Sequence, residues 1–175
     1  MRIKKLLRTL TILAILSSNI GCDQISKSIV RQRIQYNEKL SFINNHLTLT
    51  KIENTGAFLS LGHSMPKILR TILLTILPLI VLGLAFIYLL TKKNLSNFKI
   101  IGLCFVVGGG VGNIFDRVVY GSVTDFLHID FGLFQTGIFN MADVSIMTGV
   151  FIMIFESYFG RTNLTSKKIE IKSEE

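Results

Sequence analysis

From Lys67 to Leu90 the chain reads KILRTILLTILPLIVLGLAFIYLL, and after Arg70 no charge interrupts it. That run meets the roughly 20 apolar residues a bilayer core demands, so the pattern predicts a membrane-spanning helix. Pro78 does not exclude it, because neighbours in a membrane bundle can satisfy the carbonyl that a proline frees. Two more spans are expected, about Phe98 to Phe115 and about Met141 to Phe159. Each is apolar along most of its length and polar toward one end, at Asn113 in one and Asp143 in the other.

The first apolar segment has two readings. Leu10 to Leu16 is short enough for the core of a signal peptide, and SSNIGCDQ (residues 17 to 24) places Cys22 where a bacterial lipoprotein would be cut. Asn19, however, stands where a lipoprotein recognition box carries Leu. The chain then continues as DQISKSIVRQRI, with Asn19, Asp23, Ser26/Lys27 and Val30 recurring at helical spacing. An uncleaved helix with a polar outer half is therefore expected.

Residues 37 to 65 change period: KLSFI and HLTLTKIEN alternate around the turn-prone pair Asn44-Asn45. This predicts a small hairpin or sheet between the first two helices. Arg117 to Asn140 is a second connection, aromatic and apolar enough to reach the membrane interface. The expected fold is an all-α polytopic membrane protein with four transmembrane helices and one small β insertion. Residues 162 to 175 match no motif and are expected to form a disordered tail.

Composition and charge agree with this. Hydrophobic residues make up 49% and charged residues 17% of the 175 positions, against about 25% charged in soluble domains. The net charge of +8 sits largely in three clusters: Arg2, Lys4, Lys5 and Arg8; Lys92, Lys93 and Lys99; Arg161, Lys167, Lys168 and Lys172. Under the positive-inside rule the TKKNLSNFK loop and both termini are cytoplasmic, and the polar helix ends face outward. No nucleic-acid motif accompanies the charge, so no such partner is expected. Cys22 and Cys104 are expected near opposite ends of the bundle, too far apart to pair.

Ionisable groups at membrane depth cost about 2.5–3.5 kcal/mol each, so each one calls for a reason. Asp23, Asp116, Arg117, Asp125 and Asp143 converge on the outer layer. Asn113, Asp116 and Arg117 share helical spacing, and Asp116 beside Arg117 suggests an ion pair near the interface. Asn140 is placed to cap the fourth helix, with Asp143 in its first turn. Asp125 and Asp143 have no neighbouring base in sequence. Two carboxylates sharing a partly desolvated pocket hold one proton between them: one activates a water while the other polarises a carbonyl. That chemistry is peptide hydrolysis without a metal.

Competing chemistries are poorly supplied. His46, His63 and His128 lack metal-ligand spacing, and neither metal nor cofactor is expected. Ser-x-x-Lys occurs only at Ser64 to Lys67, which contains Pro66, and at Ser96 to Lys99 in the expected cytoplasmic loop. The run Gly108 to Gly112 reads as close helix packing rather than a phosphate cradle. A non-enzymatic channel or transporter subunit, and a lipoprotein cleaved at Cys22, stay open as alternatives.

Taken together, DQISK (Asp23, Lys27), ENTGAF (Asn54, Gly56, Ala57), GGGVGNIFDRVVYGSVTDF (Gly109, Asn113, Asp116, Arg117, Val123, Asp125) and FNMAD (Asn140, Ala142, Asp143) resemble the lipoprotein signal peptidases, or signal peptidase II. That family consists of four-helix membrane aspartyl proteases. The resemblance implies a single membrane-embedded peptidase domain over residues 1 to 175, with Asp125 and Asp143 as catalytic dyad. Asn54, Asn113, Arg117 and Asn140 would line the pocket, and Asp23 and Asp116 would support it. It also implies diacylglyceryl-modified prolipoproteins as substrates, cut just before the lipidated cysteine at the outer side of the bacterial cytoplasmic membrane, by a monomer. Asp130, five residues after Asp125, is a rival carboxylate expected to be a solvated loop residue.

Overall fold

The computed structural model describes residues 2–57 and 61–159, and the helix containing residue 159 is bounded as Met141–Ser173. The tail expected from 162 to 175 lies outside the described residues. Among the described residues four helices are long and apolar enough to cross a membrane: α1 (Arg2–Arg33), α2 (Lys67–Thr91), α3 (Asn97–Tyr120) and α4 (Met141–Ser173), whose apolar span is Met141–Phe159. Three strands accompany them among the described residues: β1 (Lys39–Phe42), β2 (Leu47–Asn54) and β3 (Val123–Ile129).

Ile20-Gly21-Cys22 lies within α1, which continues unbroken to Arg33. The buried positions of α1 are Ile12, Leu16, Asp23, Lys27 and Val30, a helical stripe that is apolar in its first half and ionic in its second. Asn19 sits between the halves. Its side-chain amide donates to Ile15 O at 2.8 Å, and Ser145 Oγ lies 2.6 Å from its Oδ1, tying α1 to α4.

Pro78 is accommodated without a break in α2. The turn before it, Ile72–Ile76, is π-helical, and the Leu77 N–H reaches back to Ile72 O. A wider turn gives room to the proline ring, which would otherwise press on a carbonyl one turn back. Large apolar side chains such as Leu79, Ile80, Leu84 and Ile87 stand exposed along α2, as a lipid-facing helix requires.

At the centre of the bundle, α3 packs against the other three helices, and its glycines explain how. A Cβ on Gly109 would strike Ala142 O of α4; on Gly108, the Asn19 side chain of α1; on Gly110, Leu82 of α2. The Gly108 to Gly112 run is thus close packing on three sides. Ser96 caps the start of α3 by accepting the Lys99 N–H at 3.2 Å. Gly121, with φ +79°, ends it in the left-handed conformation that glycine adopts freely. Cys22 is exposed and Cys104 buried, both as free thiols.

The expected hairpin is present as antiparallel β1 and β2, turning through Asn44 and Asn45 at positive φ. The sheet holds a strand the sequence does not announce: β3 pairs antiparallel with β2, giving the order β1-β2-β3. The connection between α3 and α4 is therefore partly sheet. Val123 through Phe126 are all buried, so this strand lacks the alternation of a one-sided surface strand. A register shift between Leu49 and Ile52 marks a bulge opposite the stretch that carries Asp125.

Candidate active site

Gly121 turns the chain from α3 straight into β3, and β3 presents Asp125 beside the N-terminus of α4, where Asn140 and Asp143 stand. Asn140 caps α4 as expected: its Oδ1 accepts the Asp143 N–H at 3.0 Å, and Asp143 Oδ2 accepts the Asn140 N–H at 3.2 Å. This reciprocal pair is a capping box built from Asn and Asp. The two hydrogens on Asn140 Nδ2 go elsewhere, to Asp125 Oδ1 at 2.6 Å and Asn113 Oδ1 at 3.2 Å. One fully buried residue thus holds both candidate carboxylates, Asp125 by its side-chain amide and Asp143 by its backbone N–H.

Each carboxylate has a second amide. Asn54, at the end of β2, donates from Nδ2 to Asp125 Oδ2 at 2.9 Å and to Ala57 O at 3.0 Å, while its Oδ1 accepts the Gly56 N–H. Asn113 donates from Nδ2 to Asp143 Oδ1 at 2.9 Å. Its Oδ1 faces two donors, Asn140 Nδ2 and the Lys27 ammonium at 2.9 Å, which sets the orientation of the amide. Asp125 is 4% exposed. Burial, reinforced by the nearby charge of Asp143 and opposed by the Asn54 and Asn140 amides, pushes its pKa up to about 6.

Below this pair lies a cavity of about 320 Å³. Its polar rim includes Asn54, Asn113, Arg117, Asn140 and the two aspartates; aliphatic residues of α2 (Leu74, Pro78, Val81, Leu82) form much of its wall. Ala57 and Val123 also line it. The Arg117 guanidinium donates to Gly56 O at 2.9 Å. The arrangement can hold an apolar segment against two carboxylates, with amides fixing the carboxylate geometry.

Asp23, Lys27 and Asp116 are fully buried behind the cavity rather than in it. Lys27 Nζ lies 2.9 Å from Asp23 Oδ2 and 3.1 Å from Asp116 Oδ2, and Arg31 lies 2.8 Å from Asp116 Oδ1. Two carboxylates and two cations leave this layer neutral, which makes its burial tolerable. The ion pair expected between Asp116 and Arg117 is not formed. Side chains adjacent in a helix point in different directions, so Asp116 faces α1 while Arg117 faces the cavity. Asp23 also accepts the Ala142 N–H at 2.9 Å, fixing the first turn of α4. Gly109 and Ala142 serve as the contact between α3 and α4. Asp130 accepts the Gly132 N–H at 2.7 Å in an exposed bend and makes no hydrogen bond to the pair.

Several participants are invisible to sequence reasoning. Thr124, fully buried, places its hydroxyl 2.9 Å from Arg31 Nε and 3.0 Å from Glu53 Oε1, and donates its N–H to Asp116 Oδ2 at 3.2 Å. Ser122 donates to Glu53 Oε2 at 2.6 Å. Gln24 bridges Asp23, Gly112 O and Asp116. The residue before Asp125 is thereby clamped between α1, α3 and β2. Only the adjacency of Thr124 to Asp125 could have hinted at this.

The family model described as Signal peptidase (SPase) II matches residues 15–159. The lipoprotein signal peptidase of Streptococcus pneumoniae (strain ATCC BAA-255 / R6) is 36% identical over 135 residues, covering 77% of this chain and 84% of that protein. That of Enterococcus faecalis (strain ATCC 700802 / V583) is 40% identical over 137 residues, covering 78% and 80%. A bacterial membrane enzyme solved by the in meso method at 2.3 Å shares the fold, with a TM-score of 0.77 and 24% identity over 87% of this chain and 90% of that one. Neither a channel or transporter subunit nor a lipoprotein cleaved at Cys22 is favoured by these likenesses. The chain belongs to the signal peptidase II family of membrane peptidases.

Proposed function

We propose that this protein is an intramembrane aspartyl endopeptidase that removes the signal peptide from diacylglyceryl-modified prolipoproteins, cutting just before the lipidated cysteine. The observation that carries this reading is the single amide of Asn140 bonded to Asp125 and, through the helix cap, to Asp143, on the rim of an apolar cavity. The relatives' name, lipoprotein signal peptidase, supports lipoprotein precursors as the substrate class.

In this mechanism the two aspartates share one proton, and their titration belongs to the pair. Asp125, buried and facing the charge of Asp143, holds the proton and donates it toward the carbonyl oxygen under attack. Asp143, whose oxygens accept the Asn113 amide and the Asn140 N–H, acts as the general base and takes a proton from the attacking water. Collapse of the tetrahedral intermediate returns a proton to the leaving amine of the cysteine. Arg117 and Asn54 hold the Gly56 to Ala57 backbone at the rim. The apolar wall of α2 takes the signal peptide, whose own side chains are apolar.

The reading places the whole chain in one membrane-embedded domain, working as a monomer in the bacterial cytoplasmic membrane. Both termini and the Lys92–Lys93 loop are cytoplasmic, and the sheet and the aspartates are extracytoplasmic. The test is to incubate the purified protein with a diacylglyceryl-modified prolipoprotein and determine the new N-terminus by mass spectrometry. A product beginning at the lipidated cysteine is expected. Cleavage elsewhere, or equal cleavage of the unlipidated precursor, contradicts the reading.

A further inference from the structure

A second depression, of about 660 Å³, opens on the sheet side of Asp125. It meets the apolar cavity, since Asn54, Asp125 and Ile138 line both. Their walls differ in kind. The second is lined by Thr48, Thr50 and Thr136 and the amide of Gln135, with exposed Lys39 at its β1 side and a second carboxylate, Asp130, just past the far end of β3, where it accepts the Gly132 N–H. One atom on its wall is unserved: His128 Nδ1 is buried and makes no hydrogen bond among the described residues. Buried polar atoms are seldom left so, and one that lines a groove points to a partner supplied by a ligand.

We infer that this groove takes the residues following the lipidated cysteine as extended backbone, and that Lys39 gives it a preference for an acidic side chain there. The inference rests on the function proposed above. A peptide held at Asp125 and Asp143 has two unlike halves. The signal half is apolar and matches the cavity under α2. The mature half heads for water and carries its backbone N–H and C=O groups with it, each requiring a partner. The Thr48 hydroxyl, the Gln135 amide and His128 Nδ1 supply them; the Thr136 hydroxyl is already bonded to Ile129. Lys39 pairs with Thr50 of β2, two strands across the sheet from β3. At a strand spacing of about 4.8 Å that is on the order of 10 Å, which about three extended residues span. The acidic preference therefore centres on the third residue after the cut.

The test uses the purified full-length protein and three diacylglyceryl-modified prolipopeptides. One ends at the cysteine amide; two continue for four residues, with Asp or Lys at the third. The wild type is expected to cut the longer peptides with kcat/KM about tenfold above the short one. At low salt it prefers the Asp form by about threefold, as an exposed ion pair allows. Lys39→Glu, a surface change, reverses that preference, and His128→Phe brings the ratio of long to short toward one. Equal kcat/KM for short and long peptides in the wild type overturns the inference, as does an Asp-to-Lys ratio unmoved by Lys39→Glu. In both cases the cut before cysteine persists and the proposed function stands. Failure to cut any of the three overturns that function and this inference with it.

Discussion

Asn140 and Asp143 cap one another at the first turn of α4, each accepting the other's backbone N–H, at 3.0 and 3.2 Å. The geometry that starts the helix also aims Asp143, and the amide left over from the cap reaches Asp125 at 2.6 Å. Structure and candidate chemistry are joined in one side chain.

The two roles of Asn140 can be separated. Asn140→Ala removes both, and is expected to lower Tm by the loss of a cap worth about 1 kcal/mol. Asn140→Ser restores the cap but is too short to reach Asp125. It is expected to recover most of the stability while cleavage stays down about a hundredfold, as for loss of one positioned donor. Full activity in the serine variant would show that Asp125 needs no such support.

Lys27 is the fully buried cation between Asp23 and Asp116. Lys27→Met leaves that layer with two carboxylates and only Arg31 to balance them, so the expected loss is about 3–5 kcal/mol. Thermal unfolding in detergent checks this. A Tm close to wild type would mean that one aspartate is held protonated and the layer is not ionic.

Gly109 meets α4 through Ala142 O, so Gly109→Ala must push α3 and α4 apart. Overpacking of this kind costs about 1–3 kcal/mol. Because Asn113 and Asp143 face each other across that interface, kcat is expected to fall while KM for the lipopeptide changes little. Steady-state kinetics on one substrate distinguish this from a binding defect.

The Thr124 hydroxyl serves Arg31 and Glu53 next to Asp125. Thr124→Val keeps the shape and takes one partner each from Arg31 Nε and Glu53 Oε1, a loss of about 1–3 kcal/mol for buried groups. Thr124→Ser keeps the hydroxyl and is expected to restore kcat. If valine and serine variants behave alike, the hydroxyl does not position the strand.

The pH dependence follows from Asp125. Its pKa is about 6 in the folded protein, against an ordinary 3.8. The folded state therefore binds this proton more tightly than the unfolded chain. The resulting stability is fully present below about 3.8 and is lost as pH rises through about 6. Wild-type Tm should fall more between pH 5 and pH 8 than that of Asp125→Asn, by a contribution of roughly 1.4 kcal/mol. Activity should share the direction: kcat/KM declines as pH rises past about 6, where the free pair loses its proton. Parallel Tm curves for the two proteins would contradict the assignment.

The spans are legible from long apolar runs, and α2, apolar nearly all round where it faces lipid, is read to within one residue of its end. The helix α3 runs on from the expected Phe115 to Tyr120 because Asp116 and Arg117 find partners within the bundle, which no hydropathy pattern reveals. The cap at Asn140 was legible because capping is local. The partner of Asp116 was misread because sequence adjacency stood in for spatial adjacency. β3 was missed because a strand buried on both faces shows no alternation. Arg31, Glu53 and Thr124 left no sign, since their contacts join segments more than 60 residues apart.

The most direct test of the account is cleavage of a diacylglyceryl-modified prolipoprotein by purified wild type, Asp125→Asn and Asp143→Asn, with Asp130→Asn alongside. Both variants of the pair are expected to be inactive while folded, and Asp130→Asn still to cut. Cleavage by either Asp125→Asn or Asp143→Asn at a rate near wild type would contradict a shared-proton dyad.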